Sequence, residues 1–264
     1  MEKTTFQNFR DMGGLTCPEG MRIRKWKLFR APAIAPRPDA DWNFLEDLGL
    51  ETIIDFRTDA EIREKQDRLP SSCDYVHAEV FPAEQYPYLL ETRKARLRVL
   101  TLRGRRISKL KQNKLNSYRE MPFSEAYQAV FSAMDGGKTI AFHCSEGKDR
   151  TGICAAILEY AFGRSEEQIL EEYLRSNELR PGKPYRILKT LGFPEDLRED
   201  ISYCTTVHKE LLLMAKSEIL ARYGSLDGYL RSGLGITPER VERWKTFYLE
   251  PAGEDGKTAQ DEGK

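Results

Sequence analysis

A chain of 264 residues, 40% hydrophobic and 32% charged, is long enough for one sizeable α/β domain, and no apolar run in it approaches the ~20 residues of a membrane span. Its 42 basic and 42 acidic residues cancel to zero formal net charge, which speaks against a general nucleic-acid binder. The cysteines (Cys17, Cys73, Cys144, Cys154, Cys204) are scattered without a CxxC pair or zinc spacing, and the N-terminal MEKTTFQNFRDMGG has no apolar signal-peptide core, so a reduced, cytoplasmic protein without metal or cofactor is expected.

In chain order, MRIRKWKLFRA (21–31) reads as a strand or hairpin arm. DADWNFLEDLGL (39–50) reads as a helix stopped at Gly49, and the apolar run TIIDF (52–56) as a buried strand. CDYVHAEVF (73–81) alternates as a strand should. Residues 89–117 differ: 10 Lys/Arg face one Glu, in a segment with good helical propensity between two core elements. This is read as a basic helical insertion lying over or beside whatever site the core forms. A helix near 123–134 and Gly136-Gly137 then precede a second buried strand, KTIAFHC (138–144).

Beyond that strand, Ile153, Ala156, Ile157 and Tyr160 fall at i, i+3, i+4 and i+7, one face of a helix that Gly163 closes. Ser165 and Gln168 form a capping-box pattern for the next helix. Two more helices follow, VHKELLLMAKSEILARYG and TPERVERWKTFYL, the second capped by Thr237 with Pro238 in first position. Strands come early and helices late. The expected architecture is α/β: a small, mostly parallel sheet flanked by helices, one domain over residues 1–251, and a flexible polar tail over 252–264.

The stretch FHCSEGKDRTG (142–152) carries the chemistry. A strand ending in cysteine, a short loop and a helix starting near Arg150 make a phosphate cradle. Successive backbone amides of Ser145, Glu146, Gly147, Lys148 and Asp149 can converge on one anion, helped by the helix N-terminus. Gly147 permits a turn that a Cβ would obstruct. Arg150 presents a planar fork that matches two phosphate oxygens, and Lys148 adds a second positive contact. The same positive field favours the thiolate of Cys144, an ordinary thiol having a pKa of about 8.5. A thiolate there can attack phosphorus and form a phosphocysteine, with an acid to protonate the leaving oxygen and a base to activate water. Thr151 is placed to hydrogen-bond the sulfur, and His143 to help fix it. Arg10 and Asp11 are read as a structural ion pair.

HCSEGKDRTG resembles the signature of the bacterial cysteine-dependent tyrosine phosphatases whose loop reads HCxxGKDRTG. The likeness extends to NFRDMGG (8–14), LFRAPAIA, GLETIIDFRTDAEI, YREMPFSEAYQAVF and YGSLDGYLRSGLGIT, so that it spans most of residues 6–250. The resemblance implies a protein-tyrosine-phosphatase-like fold and a phosphoric monoester hydrolase, acting on phosphotyrosine and, in dual-specificity relatives, on phosphoserine, phosphothreonine or phosphoinositides. It implies Cys144 as nucleophile and Arg150 as phosphate clamp. Either Asp149, inside the loop, or Asp55, at a strand end, would be the acid, with Arg57 orienting one of them. The second variable loop position is often Ala in the family. Here it is Glu146, whose charge would disfavour polyphosphorylated inositols. The expected partners are a phosphorylated protein or phosphoinositide substrate and, through the basic insertion, an anionic membrane surface; no nucleic-acid partner is expected. Two competing readings are an inactive phosphate- or phosphoinositide-binding module and a rhodanese-like sulfurtransferase. The intact Cys144, Asp149 and Arg150 speak against the first. Arg150 followed by Thr-Gly and a helix speaks against the second.

Overall fold

The computed structural model describes residues 6–34, 39–81, 105–179, 189–190, 192 and 195–253. Residues 89–104 of the basic stretch and 254–264 of the C-terminal tail lie outside them.

Five short strands form the main sheet: β1 (Arg10–Asp11), β3 (Leu28–Ala31), β4 (Thr52–Asp55), β5 (Asp74–His77) and β6 (Ile140–His143), in the order β1-β3-β6-β4-β5. All neighbours pair in parallel except β1 with β3. The central strands are nearly continuous apolar runs because both sheet faces are covered. Alternation along each strand divides the side chains between two clusters. Leu28, Ile54, Ile140 and Phe142 point to one face, Phe29, Ile53 and Ala141 to the other. The second face is closed by α1 (Asp39–Asp47) through Leu45, together with Phe6 and Ile34.

The larger face carries the helices. After α2 (Asp59–Glu64) come α3 (Arg105–Glu120), two 3₁₀ turns over 121–127, α4 (Gln128–Asp135) and α5 (Arg150–Ala161). The chain continues through α6 (Glu166–Leu179), α7 (Glu195–Thr205) and α8 (Lys209–Tyr223). A helical turn at 226–233 and α9 (Pro238–Tyr248) complete the order. Ten of the twelve residues of helix α5 are buried, as befits a helix packed between sheet and helices.

The expected strand or hairpin arm over 21–31 is two separate strands. Trp26 takes a left-handed φ of 65°, and the chain turns there from β2 (Met21–Ile23) to β3. Strand β2 belongs to a separate two-stranded sheet with β7 (Leu249–Pro251). Ala252, expected in the tail, still donates its amide to Gly20 O at 2.8 Å. The expected Arg10–Asp11 ion pair does not form. Side chains of adjacent strand residues point to opposite faces, and each finds its own partner: Arg10 pairs with Glu172 at 2.7 Å, while Asp11 accepts from the amides of Gly13 and Trp26.

Strand register decides where chemistry is placed. Ala31, Asp55 and His143 stand side by side at the carboxyl ends of β3, β4 and β6, and His77 continues the row in β5. The crevice beyond the carboxyl ends of parallel strands is where open α/β sheets bind ligands. Cys144 is the next residue along the central strand.

Candidate active site

The loop from Cys144 to Asp149 is held open from outside. Asn8 Nδ2 donates to Glu146 O (2.8 Å) and Gly147 O (2.9 Å), Arg30 Nη2 donates to Gly147 O (3.2 Å), and Ala33 N donates to Ser145 O (3.3 Å). In a trans peptide the carbonyl and the following amide point in opposite directions. Three carbonyls tied outward therefore turn the amides of Glu146, Gly147 and Lys148 toward the loop's interior. Asn8 sits at φ 71°, a conformation Asn tolerates better than most residues, and Arg10 Nη1 donates to its Oδ1. Arg10 is fixed in turn by Glu172 and Ser176 of α6. The motif NFRDMGG is thus the outer brace of the cradle.

Gly147 has φ 67°, and a Cβ there would come within 2.5 Å of Ala31 O. Backbone conformation and close approach to β3 both demand glycine, as expected. Helix α5 begins at Arg150, so its free N-terminal donors and partial positive charge lie beside the turned-in amides.

The Arg150 fork is held before any phosphate arrives. Nη1 and Nη2 donate to Glu61 Oε2 (2.7 Å) and Oε1 (2.9 Å), and Nη1 also donates to Phe56 O. Glu61 is buried at the third position of α2, where it completes a capping box with Thr58 and accepts from Ser145 Oγ as well. Burial pushes the Glu61 carboxyl up, but Arg150, Ser145 and the Thr58 amide outweigh it and hold it at about 2. Sequence reading missed Glu61. The available signal was the T-x-x-E spacing of Thr58 and Glu61, a helix start directly after the strand that carries Asp55.

Asp149 lies at the mouth of α5. Tyr118 Oη donates to its Oδ1 at 2.7 Å, Lys114 Nζ is 3.5 Å from the same oxygen, and Lys148 Nζ is 3.9 Å from Oδ2. Burial raises its pKa, but Lys114, Lys148 and the Tyr118 bond overcome that and leave it below the usual carboxylate range. Lys148 also reaches Thr205 O and lies 2.6 Å from Glu146 Oε2.

Asp55 occupies a separate buried cluster. Its carboxylate accepts from Arg57 Nε and Nη2 and from Tyr75 Oη at 2.8 Å. Arg57 bonds Asp67 too, and His143 sits with Nδ1 3.7 Å from Asp55 and Nε2 3.3 Å from Asp67. Burial pushes Asp55 up, yet His143 and Arg57 drive it well below the usual carboxylate range. Arg57 orients Asp55 rather than Asp149. Asp55, Asp67 and His143 have ligand atoms close enough together for a metal, but the Arg57 guanidinium already bonds both carboxylates and supplies the compensating charge. His143 Nδ1 lies 3.4 Å from Cys144 O, so its contact with Cys144 is through the backbone. Thr151 Oγ1 is buried beside the loop with no hydrogen-bond partner among the described residues; the expected bond to sulfur is not formed in this state.

Of the residues singled out in the sequence, 144–151 form one constellation, and Asp55, Arg57 and His143 form the layer behind it. Helix α3, whose first residues belong to the basic stretch, reaches the constellation through Lys114 and Tyr118. All five cysteines are free, and among the described residues no helix is long and apolar enough to cross a membrane.

Comparison with known proteins agrees with the geometry. A protein of Cupriavidus necator that carries the name tyrosine-protein phosphatase is 30% identical over 234 residues, covering 88% of this chain and 83% of its own. The triple specificity protein phosphatase PtpB of Mycobacterium tuberculosis is 29% identical, covering 92% of this chain and 96% of its own. Among solved structures, a human tyrosine phosphatase-like serine/threonine/tyrosine-interacting protein aligns at 12% identity, covering 77% of this chain and 98% of its own. Its TM-score of 0.36 is too low to carry an argument. The sequence model of the tyrosine phosphatase family matches residues 1–250, and with the cradle of Cys144 and Arg150 intact, the chain belongs to that family.

Proposed function

We propose that the protein is a cysteine-dependent phosphatase that hydrolyses protein phosphotyrosine through a phosphocysteine intermediate. The observation that carries this reading is the loop whose Ser145, Glu146 and Gly147 carbonyls are all tied outward, next to an Arg150 fork pre-set by Glu61. Such a cradle needs no rearrangement to receive a tetrahedral dianion, and preorganised donors of this kind are usually the largest catalytic term.

In the first step Cys144 Sγ attacks phosphorus, the S–P bond forms, and the bond to the leaving oxygen breaks. Asp149 gives that oxygen a proton. Asp149 is favoured over Asp55 because it belongs to the loop itself, whereas Asp55 is saturated by Arg57 and Tyr75. In the second step water attacks phosphorus, Asp149 takes its proton, and phosphate leaves as the thiolate returns. The free carboxylate is ionised; binding of a dianionic ester beside it raises its proton affinity and loads the acid.

The Glu146–Lys148 contact supports a monoester preference. The second cation beside the cradle is already matched by a carboxylate, so additional phosphates on an inositol ring meet no net charge there. PtpB, whose name records triple specificity, shows that relatives take more than one substrate class, and activity on phosphoserine, phosphothreonine or phosphoinositides is the second reading. The free cysteines support a reduced, cytoplasmic setting. A panel of phosphotyrosyl, phosphoseryl and phosphoinositide substrates tests the assignment. Phosphotyrosine should show the highest kcat/KM, and Glu146→Ala should narrow the gap to phosphoinositides. A gap that widens or stays fixed would remove Glu146 from specificity.

A further inference from the structure

Asp149 is contacted from helix α3 and from its own loop, with α6 and α7 behind them, and the contacts fall unequally on its two oxygens. Helix α3 presents Lys114 and Tyr118, four residues apart and so on one face. Both address Oδ1, Tyr118 Oη by a 2.7 Å hydrogen bond and Lys114 Nζ at 3.5 Å. Helix α6 contributes Tyr173, whose Oη lies 2.7 Å from Tyr118 Oη. The loop itself contributes Lys148, 3.9 Å from Oδ2, with Glu146 beside it. The C-terminal end of α7 anchors the two lysines: Tyr203 O, Cys204 O and Thr206 O accept from Lys114, and Thr205 O accepts from Lys148. Cys204 and His208 are titratable groups on that side, with Tyr203, Lys111, Asp200 and Glu210 around them.

The two tyrosines define a direction. A phenol has one proton. Asp149 is ionised, so the Tyr118 proton lies toward Oδ1, and the bond between the two hydroxyls must be donated by Tyr173. Tyr118 and Tyr173 are completely buried. The chain therefore runs one way, from Tyr173 to Tyr118 to Oδ1.

We propose that Tyr118, backed by Tyr173, and Lys114 are positioning residues that occupy Oδ1 of Asp149 and leave Oδ2 as the oxygen that carries the proton to the leaving group. The inference rests on Asp149 being the general acid. A carboxyl whose proton is confined to one oxygen, in one rotamer, delivers it along one line. Loss of the Tyr118 hydroxyl frees the carboxyl to rotate and lets the proton sit on either oxygen. It also removes a donor to the ionised form, so the acid keeps its proton to higher pH.

The test is the pH dependence of kcat for one alkyl and one aryl phosphate, in wild type, Asp149→Asn, Tyr118→Phe, Tyr173→Phe and Lys114→Gln. Tyr118→Phe should lower kcat at its optimum about tenfold on the alkyl ester and less on the aryl ester, whose leaving oxygen needs less protonation. Its basic limb should move to higher pH. One pH unit above the wild-type limb, it should keep about a threefold larger share of its plateau than wild type keeps of its own. Tyr173→Phe should move the limb the same way by less, and it serves as the reading if Tyr118→Phe folds poorly. Lys114→Gln, which removes a cation, should also move the limb upward. Loss of packing alone would lower kcat for both esters equally without moving the limb. If Asp149→Asn abolishes the basic limb while both phenylalanine variants leave it at the wild-type pH, the positioning role is overturned and Asp149 remains the acid. If the limb persists in Asp149→Asn, the acid assignment itself has failed.

Discussion

In the proposed mechanism Cys144 supplies the nucleophile, and the Arg150 fork set by Glu61 meets the phosphate. Cys144→Ser should abolish turnover and still bind phosphate analogues, because the cradle is built mainly of backbone amides braced by Asn8 and Arg30. Arg150→Lys should lose on the order of a hundredfold or more in kcat, since an ammonium cannot reproduce a bidentate fork. Glu61→Gln keeps the side-chain length and removes the charge that sets that fork. Its expected effect is a kcat/KM about tenfold lower, carried partly by weaker inhibition by inorganic phosphate. Equal phosphate inhibition in wild type and Glu61→Gln would show that Arg150 finds its orientation without Glu61.

At the scale of the element, the loop is a joint between β6, α5 and the N-terminal brace. Gly147→Ala places a Cβ against Ala31 O at a left-handed φ, so either the loop or β3 must shift. We expect a stability loss of about 1 kcal/mol or more by urea titration, and a larger proportional loss of kcat/KM than of stability. The strand-loop-helix unit was legible in the sequence because its parts are local: an apolar run, a glycine, a charged turn and an amphipathic start. Ser165–Gln168 and Thr237–Pro238 caps were legible for the same reason, and both form. What was not legible is what arrives from far along the chain. Asn8 meets Gly147 across 139 positions and Glu61 meets Arg150 across 89, and neither pairing leaves a periodic trace. Lys114 and Tyr118 were hidden differently. Lys114 lies in the basic segment and Tyr118 just past it, and nothing in the composition marks these two as the side chains that turn inward to Asp149. The basic residues before them carry a separate expectation. Changing Arg103, Arg105 and Arg106 together to Gln should lower kcat/KM at low ionic strength and converge with wild type at high salt, as steering by a screened field requires.

Over the whole molecule, buried carboxylates tie the N-terminal brace, the sheet and the helices into one unit. Glu61, Asp55 and Glu172 are each pushed up by burial and then held below their usual range, Glu61 by Arg150, Asp55 by His143 and Arg57, and Glu172 by Arg10 and Arg30. A carboxyl whose folded pKa is depressed adds stability that is complete above its unfolded value and is lost as pH falls through the folded one. For Glu61 that window runs from about 4.5 down to about 2. Asp67 and, more strongly, Glu159, which burial pushes up to about 8, work in the opposite direction: their contribution declines as pH rises from the usual carboxylate range toward the folded value. The urea midpoint should therefore peak at mildly acidic pH, decline toward pH 8 as Glu159 loses its proton, and fall steeply below about pH 4.5, with a shallower acid fall in Glu61→Gln. Metal-free cysteine chemistry is tested most directly by hydrolysis of p-nitrophenyl phosphate and a phosphotyrosyl peptide with EDTA present, wild type beside Cys144→Ser. The prediction is turnover of both substrates by wild type, none by the variant, and retained binding of the phosphopeptide by the variant. Turnover that survives in Cys144→Ser, or that EDTA abolishes in wild type, would contradict it.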